Sequence, residues 1–439
     1  MGHWIWGLLA LSLGCTPTPK PDNLLLLTLD TLRADYLGVY GAAEDSSPHI
    51  DALAATGLRF GQAYTTAPLT GPAHASILTG RYPSEHGVLF NGMRLHTPMR
   101  LNPQSTPLST HLSEQGFATG AIVTAIPLIK SYGFDQGFDY HQMVPTSNAD
   151  PTLEYGGSSA DALAAARAWI EERGDERFFL WVHMYEAHVP FYSPPEIHDR
   201  LGSTPGRVGE EDTSRKPPEA FQAAYRAEVL EVDDAIGGFV SMLKELQLDQ
   251  RTIVGLVADH GEFLGEGGRY GHYLVREEVM EIPMMLSGPG VLPAVHTGAV
   301  SSVDLAPTVL ELMALPPLPG ATGRSLARVE RDSSVPIFGE YRDLRLHDVG
   351  IPAQSRDHLL SVWSGGAKRV RSVLTMEDRV FGLAGEEEIE LPDQLAADPG
   401  GLRTHLDRFP VLATPVSKTP LKTSGNTGMD LLKMLGYID

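Results

Sequence analysis

The chain has 439 residues, of which 42% are hydrophobic and 20% charged, so it can bury a large core and is globular rather than disordered. Its 34 Lys and Arg stand against 55 Asp and Glu, and the net charge of -21 argues against a nucleic-acid partner. An anionic substrate must then find positive charge locally, from a metal, from histidines or from Arg33, while the single cysteine excludes an internal disulfide and a Cys-based zinc site.

That cysteine, Cys15, follows a short apolar segment over residues 1–14 and precedes Thr16-Pro17-Thr18-Pro19-Lys20. The segment is too short to span a bilayer and resembles a secretory signal ending in a bacterial lipoprotein cleavage box. It departs from that pattern in having no leading Lys or Arg and in placing Ser12 where a Leu is usual. Residues 1–15 are read as the signal and 16–22 as a stiff tether. The expectation is an exported protein of the cell envelope, held to the membrane only by a lipid on Cys15.

From residue 23 the chain alternates strand and helix patterns. Leu24-Leu25-Leu26-Leu27-Thr28-Leu29 is an unbroken apolar run that stops at Asp30, and Ile253-Val254-Gly255-Leu256-Val257-Ala258 stops at Asp259-His260. Runs without alternation are strands buried on both faces, as in a parallel sheet covered by helices, and chemistry in such sheets collects beyond the carboxyl ends of the strands. Two such ends carrying hard-metal ligands point to one metal site. Residues 51–56, 160–172 and 224–246 read as helices, 178–182 as another buried strand, and 202–218 as a mobile polar surface loop. The fold class is therefore α/β. After residue 325, short strand-like pieces at 335–338, 359–363 and 370–374 suggest a small antiparallel subdomain, and residues 429–435 read as a closing helix. The division is 23–325 for a catalytic domain and 326–439 for a C-terminal subdomain.

Between the two metal strands lies Thr70-Gly71-Pro72-Ala73-His74-Ala75-Ser76-Ile77-Leu78-Thr79-Gly80-Arg81-Tyr82-Pro83. Pro suits a first helical position and Gly an end, so a helix is expected from near Pro72 to Gly80. Thr70 then sits just before a helix N-terminus, where free N–H groups and the dipole favour an anion and a hydroxyl nucleophile is well placed.

Asp30, the Thr70 segment and Asp259-His260-Gly261 recur in this order in the sulfatase family of the alkaline phosphatase superfamily, which the chain resembles over nearly all of its mature length. Supporting stretches are Ser47-Pro48-His49-Ile50-Asp51, His86-Gly87-Val88, His183 to His188, Val303-Asp304-Leu305, Gly323-Arg324-Ser325-Leu326, Ala397-Asp398-Pro399 and Leu435-Gly436-Tyr437. The resemblance implies an alkaline-phosphatase-like, mostly parallel central sheet flanked by helices. It implies metal ligation by Asp30, Asp259, His260 and Thr70, with Thr70 as nucleophile, His188 and His272 as catalytic or anion-binding imidazoles, and Asn91 and His74 as substrate-binding groups. His183 and His86 are read as supporting or packing residues, and Glu186, His188 and His272 as a conceivable second metal trio.

Departures from the family pattern carry as much information. Sulfatases of the usual kind oxidise a Cys or Ser in a Cys/Ser-x-Pro-x-Arg motif to an aldehyde, which Thr70 with its β-methyl cannot give, and His74 stands in place of the Arg. The sulfate-binding Lys and His of those enzymes should fall near Thr124 and Ile126, and neither fits. Thr31 replaces a frequent second ligating Asp, and an imidazole with fewer oxygens suits manganese, zinc or magnesium at least as well as calcium. The expectation is a hydrolase dependent on one divalent metal, acting on a sulfate or phosphate ester of a small, glycan-linked or lipid-linked alcohol. Its rivals are a transferase using a lipid phospho-donor and a non-catalytic anion-binding relative. The lipid anchor is checked by intact mass: protein from the membrane fraction should carry a diacylglycerol on Cys15, and an unmodified N-terminal segment would refute the assignment.

Overall fold

Asn23–Leu29 forms the central strand because seven consecutive side chains are buried on both of its faces. The computed structural model describes residues 21–42, 46–91, 100–144, 157–204, 206–209, 212–328, 335–342, 358–364, 367–372, 378–384 and 387–390, with 404 and 406. Cys15 and its leader, the 397–399 and 435–437 stretches and the expected helix over 429–435 lie outside those residues.

In chain order the elements are β1 (Asn23–Leu29), α1 (Pro48–Ala55), β2 (Leu58–Tyr64), α2 (Thr70–Thr79), α3 (Pro83–His86), α4 (Leu108–Glu114), β3 (Ala118–Val123), β4 (Tyr140–Met143), α5 (Ser159–Arg173) and β5 (Phe178–Met184). They continue with α6 (Pro195–Leu201), α7 (Pro218–Glu245), β6 (Thr252–Ala258), the short pair β7 (Phe263–Leu264) and β8 (Tyr270–Gly271), α8 (Glu277–Met280), β9 (Glu281–Ile282), β10 (Met284–Ser287), β11 (Ala294–Ser301) and α9 (Leu305–Leu312). One sheet has the order β11-β2-β10-β6-β1-β5-β3-β4, with β9 added beside β2. Pairing is parallel from β6 through β1, β5 and β3 to β4, and between β11 and β2, whereas β10 runs against both β6 and β2. The α/β class and mostly parallel sheet expected from the apolar runs are what the chain forms. Among the described residues no helix is long and apolar enough to cross a membrane.

Register brings the chemistry together. Leu29 pairs with Ala258 on one side and Met184 on the other, so Asp30 and Asp259 emerge at one level beyond the strand ends. Thr28 pairs with His183, which puts those two side chains on the same face, two residues short of Asp30.

The second half of the chain braces the helix that carries Thr70. Gly80 ends α2 in the left-handed region (φ 63°), which favours glycine, and its carbonyl accepts the N–H groups of Thr322 and Gly323. Asp304 accepts from the Arg324 and Ser301 N–H groups, and the Thr308 hydroxyl accepts from Leu326 N–H. The Val303-Asp304 and Gly323-Arg324 landmarks thus act as a clamp behind α2.

Residues 202–218 are less loop-like than their composition suggests: α7 already starts at Pro218, and Val208 is buried and exchanges both backbone hydrogen bonds with Phe191. Beyond the main sheet, β12 (Ile337–Arg342), β13 (His358–Ser364), β14 (Ala367–Ser372), β15 (Asp378–Ala384) and β16 (Glu387–Glu390) make an antiparallel meander. It docks through the Trp363 ring stacked on Tyr64 at 4.8 Å, through Trp363 Nε1 donating to Glu277, and through Glu340 N–H donating to the Thr66 carbonyl.

Buried Asp233 on α7 supplies α1 with the cap its own Ser47 does not, accepting Ile50 N–H at 2.7 Å and His49 N–H at 3.1 Å. His49, Asp233 and Asp234 lie close enough to hold an ion, but this hydrogen bonding gives Asp233 a structural task. Asp233→Ala is expected to cost about 1–2 kcal/mol, seen as a lowered urea midpoint, with bound metal unchanged by elemental analysis.

Candidate active site

Asp30 and Asp259 are 1% and 0% exposed at the ends of β1 and β6. Asp259 Oδ1 accepts the backbone N–H groups of Thr31 (3.1 Å) and His260 (2.7 Å), which aims Oδ2 away from the backbone and leaves it unbonded among the described residues. Both Asp30 oxygens are likewise without a hydrogen-bond donor there. His260 donates from Nδ1 to the Gly261 carbonyl (3.0 Å), so its Nε2 presents a lone pair 3.5 Å from Asp259 Oδ2. Two buried carboxyl groups and an imidazole lone pair thus face one another without hydrogen bonds among the described residues, and these three residues place ligand atoms within 4.8 Å of one another, close enough to hold a cation.

Thr31 does not stand in for the missing carboxylate. Its backbone is left-handed (φ 52°), unusual for a β-branched residue, and its hydroxyl donates to the Ala187 carbonyl at 2.6 Å. Arg33 is no anion-binding group either: it is 6% exposed and held by Asp35, by Glu266 and by the Glu262 carbonyl.

The helix carrying Thr70 starts at that residue rather than near Pro72. Gly71 N–H donates to Asn91 Oδ1 at 2.8 Å, Pro72 has no N–H, and Ala73 N–H bonds to the Leu69 carbonyl. The helix start is therefore not the open anion cradle its sequence suggests, since of its first four positions only Thr70 has an N–H uncommitted among the described residues. Asn91, expected near the substrate, caps this turn with its oxygen, which leaves its amide nitrogen as the donating end.

His74 differs from expectation more sharply. It is fully buried, and the Thr28 hydroxyl, already accepting from Trp181 Nε1, donates to His74 Nε2 at 3.0 Å. The proton then sits on Nδ1, which donates to the Thr70 carbonyl at 2.8 Å and lies 3.6 Å from Asp259 Oδ2. Neither nitrogen is left for a substrate oxygen: where the family carries a cationic Arg, this chain has a neutral ring tying the first turn of α2 to Thr28 on β1, with the carboxylate beside it.

A run of rings leads outward. His272 stacks on His260 (centroids 4.4 Å apart), His188 meets His272 edge-on at 5.3 Å, and Tyr185 stacks on His188 at 4.5 Å. His272 Nδ1 donates to the Pro68 carbonyl at 2.9 Å, two residues before Thr70. Glu186 instead accepts from Tyr185 and Ser159 N–H groups, and among the described residues it does not combine with His188 and His272 into a metal trio. His86, with Ser76 at one nitrogen and Val88 N–H at the other, is packing under α2.

The site residue least anticipated is His183. Its Nε2 faces Asp30 Oδ2 at 3.2 Å, and its Nδ1 contacts the Thr124 hydroxyl at 2.8 Å. A signal was present, because the third apolar run, Phe178-Phe179-Leu180-Trp181-Val182, also stops at a metal-ligand residue type. Beside Leu69 and His272 opens a cavity of about 620 Å³, walled by aromatic rings such as Phe90, Phe191, Phe221 and Tyr341, with Glu262 the only ionised-type carboxyl and no Lys or Arg among its described lining residues.

Residues 22–315 match the family described as Sulfatase. The chain is 25% identical over 340 residues to an ulvan-active sulfatase of Formosa agariphila, covering 71% of this chain and 65% of the relative. It is 26% identical over 369 residues to N-acetylgalactosamine-6-sulfatase of Canis lupus familiaris, covering 70% and 65%. The chain thus spans just under two thirds of each of these relatives. Its fold is similar to that of a phosphonate monoester hydrolase from Silicibacter pomeroyi, with TM-score 0.70 and 22% identity over 88% of this chain and 94% of that one.

Burial pushes the Asp30 carboxyl well above its usual range and Asp259 up to about 7, the latter helped by the Asp30 charge. Burial also lowers His74 to about 3 and His183 and His260 to about 4. Carboxyls raised above their unfolded values contribute stability that is full below about pH 4 and lost as pH rises through about 7; the lowered imidazoles contribute stability present above about pH 6.5 and lost toward pH 4. A bound cation offsets the first loss only. The melting-temperature gap between manganese- or zinc-loaded and chelator-treated protein should therefore widen from about pH 5.5 to 8; a gap that is flat or narrows would contradict this electrostatic picture.

Proposed function

Because this chain belongs to the sulfatase family, we propose that it hydrolyses a sulfate or phosphate ester with Thr70 as nucleophile, and that a phosphate-type ester is the better substrate. The observation that carries this reading is the set of unpartnered buried atoms on Asp30, Asp259 and His260, with Thr70 at the head of a helix whose first turn His74 holds 3.6 Å from Asp259.

Asp30, Asp259 and His260 would hold one divalent cation, with the Thr70 hydroxyl beside it. Such an ion supplies positive charge that lowers the pKa of a nearby hydroxyl and offsets the charge of the ester. The Thr70 oxygen, deprotonated, bonds to phosphorus or sulfur while the bond to the alcohol breaks in line, and the departing oxygen takes a proton from His272. Water then attacks the Thr70 ester, gives its proton to His272, and the bond to the Thr70 oxygen breaks. His188, which the sequence pairs with His272 as a proton donor, is kept neutral chiefly by burial, so donation is assigned to His272 and His188 contributes hydrogen bonding.

Threonine favours phosphate for a chemical reason. A sulfated aldehyde hydrate can expel sulfate by elimination, but a sulfated threonine must await attack at sulfur, whereas a phosphothreonine is open to attack by water at phosphorus. The aromatic cavity would take the alcohol, stacking against a sugar or aryl face. With a carboxylate and no Lys or Arg on its described walls, and -21 overall, it suits an alcohol bearing no second anion. That sets the proposed substrate apart from the ulvan in the relative's name. Attachment through Cys15 would place the reaction at the membrane surface.

Thr70→Ala and the unaltered protein should be compared on aryl sulfate, phosphate monoester and phosphodiester, with calcium, magnesium, manganese and zinc in turn, with and without an acceptor alcohol. The expected result is phosphate-type turnover exceeding sulfate turnover and a loss of at least about 10³-fold in kcat on substitution. Turnover that survives Thr70→Ala would remove the nucleophile, and products found mainly on the acceptor alcohol would mark a transferase.

A further inference from the structure

From the placement of His183 we infer that it is a further protein ligand to the metal, through Nε2, taking over the role of the carboxylate that Thr31 lacks. The inference rests on the proposed metal site of Asp30, Asp259 and His260 and adds to it a second imidazole.

Three observations support it. His183 and Asp30 are both buried, and His183 Nε2 lies 3.2 Å from Asp30 Oδ2, yet neither atom has a hydrogen bond among the described residues, so an N–H on Nε2 would not point at the carboxylate. The other nitrogen is anchored: Thr124 donates its hydroxyl proton to the His183 carbonyl at 3.1 Å, and His183 Nδ1 can then donate to the Thr124 oxygen at 2.8 Å. That network puts the ring proton on Nδ1 and turns a lone pair toward a carboxylate, an arrangement that is repulsive until a cation lies between them. Third, two donors sharing one ion at 2.0–2.1 Å stand roughly 3.0–3.4 Å apart; His183 to Asp30 is 3.2 Å, and His260 to Asp259 is 3.5 Å.

The competing trio His74, His183 and Asp259 is pruned by hydrogen bonding, because both His74 nitrogens are committed. What remains is two carboxylates and two imidazoles, each imidazole with Nδ1 on an oxygen and Nε2 facing an aspartate. A set with two nitrogen donors selects zinc, manganese or cobalt over calcium, which takes oxygen ligands. The same Thr31 whose hydroxyl is spent on Ala187 leaves the space beside Asp30 to His183, whose neighbour across β1 and β5 is Thr28.

X-ray absorption of zinc-reconstituted full-length protein decides the matter by counting imidazoles at the metal. Two in the unaltered protein and one in His183→Gln are expected, together with a zinc dissociation constant raised about 100-fold and a smaller change for calcium. As a milder variant, Thr124→Val should weaken zinc about 10-fold while keeping two imidazoles. One imidazole in the unaltered protein, or two retained in His183→Gln, would overturn the assignment and reduce His183 to a neighbour that orients Asp30, leaving the proposed hydrolysis intact. Absence of any bound zinc, manganese or cobalt would instead bring down the metal reading itself. Should His183→Gln not fold, Thr124→Val carries the test: zinc affinity unchanged in that variant, or a single imidazole in the unaltered protein, would overturn the assignment.

Discussion

Two carboxylates buried side by side at the ends of adjacent parallel strands are the constraint around which the rest of this protein is arranged. Asp30 and Asp259 repel each other in a region without water contact, and each is forced to its level by a strand that is apolar on both faces. No Lys or Arg is drawn in to neutralise them among the described residues: Arg33, close in sequence, is committed to Asp35 and Glu266. Instead the neighbourhood fills with neutral imidazoles. Each has one nitrogen fixed by an oxygen of the chain, so its proton position is dictated and its other nitrogen has a defined direction. An arrangement of this kind is poor as a folded core and good as a cation site, the balance expected where function overrides packing.

The helix that carries Thr70 obeys the same logic. In place of a guanidinium, His74 reaches the Thr70 carbonyl, Thr28 and the vicinity of Asp259 with one neutral ring, which makes it a strut rather than a charge. In the proposed reaction, positive charge for an anionic ester would therefore come from a cation and from His272, not from side chains under the helix. In the proposed reading that redistribution goes with Thr70 in place of an aldehyde-forming residue: a site with less fixed positive charge and an unmodified hydroxyl would suit a substrate whose intermediate water can clear directly. The far end of α2 is held by Gly80, Asp304 and the 322–326 segment, so the helix is fixed at both ends before any ligand binds.

The antiparallel sheet after residue 335 contributes to the same site from the outside. Trp363 stacks on Tyr64 at the end of β2, and Tyr341 reaches the wall of the aromatic cavity next to Leu69. The aromatic cavity is thus assembled from segments hundreds of residues apart, and its apolar, weakly acidic character is a property of their meeting rather than of any one of them.

Sequence by itself determined the α/β class, the buried parallel strands and the ends at which Asp30 and Asp259 emerge, because a strand with no polar alternation can only be central, and a polar residue directly after it can only lie at a sheet edge. It also marked the Thr70 helix through Gly80, whose left-handed backbone ends the helix where the pattern says it should. Tertiary structure alone decided which donors were spent. Gly71 N–H is taken by Asn91, His74 Nε2 by Thr28, Arg33 by Glu266, and His183 is turned toward Asp30, since contacts between residues 20 to more than 200 positions apart leave no periodic trace in the chain. A ligand type can be read from a residue's identity. Whether its lone pair is available depends on what stands beside it, and only the fold supplies that neighbour.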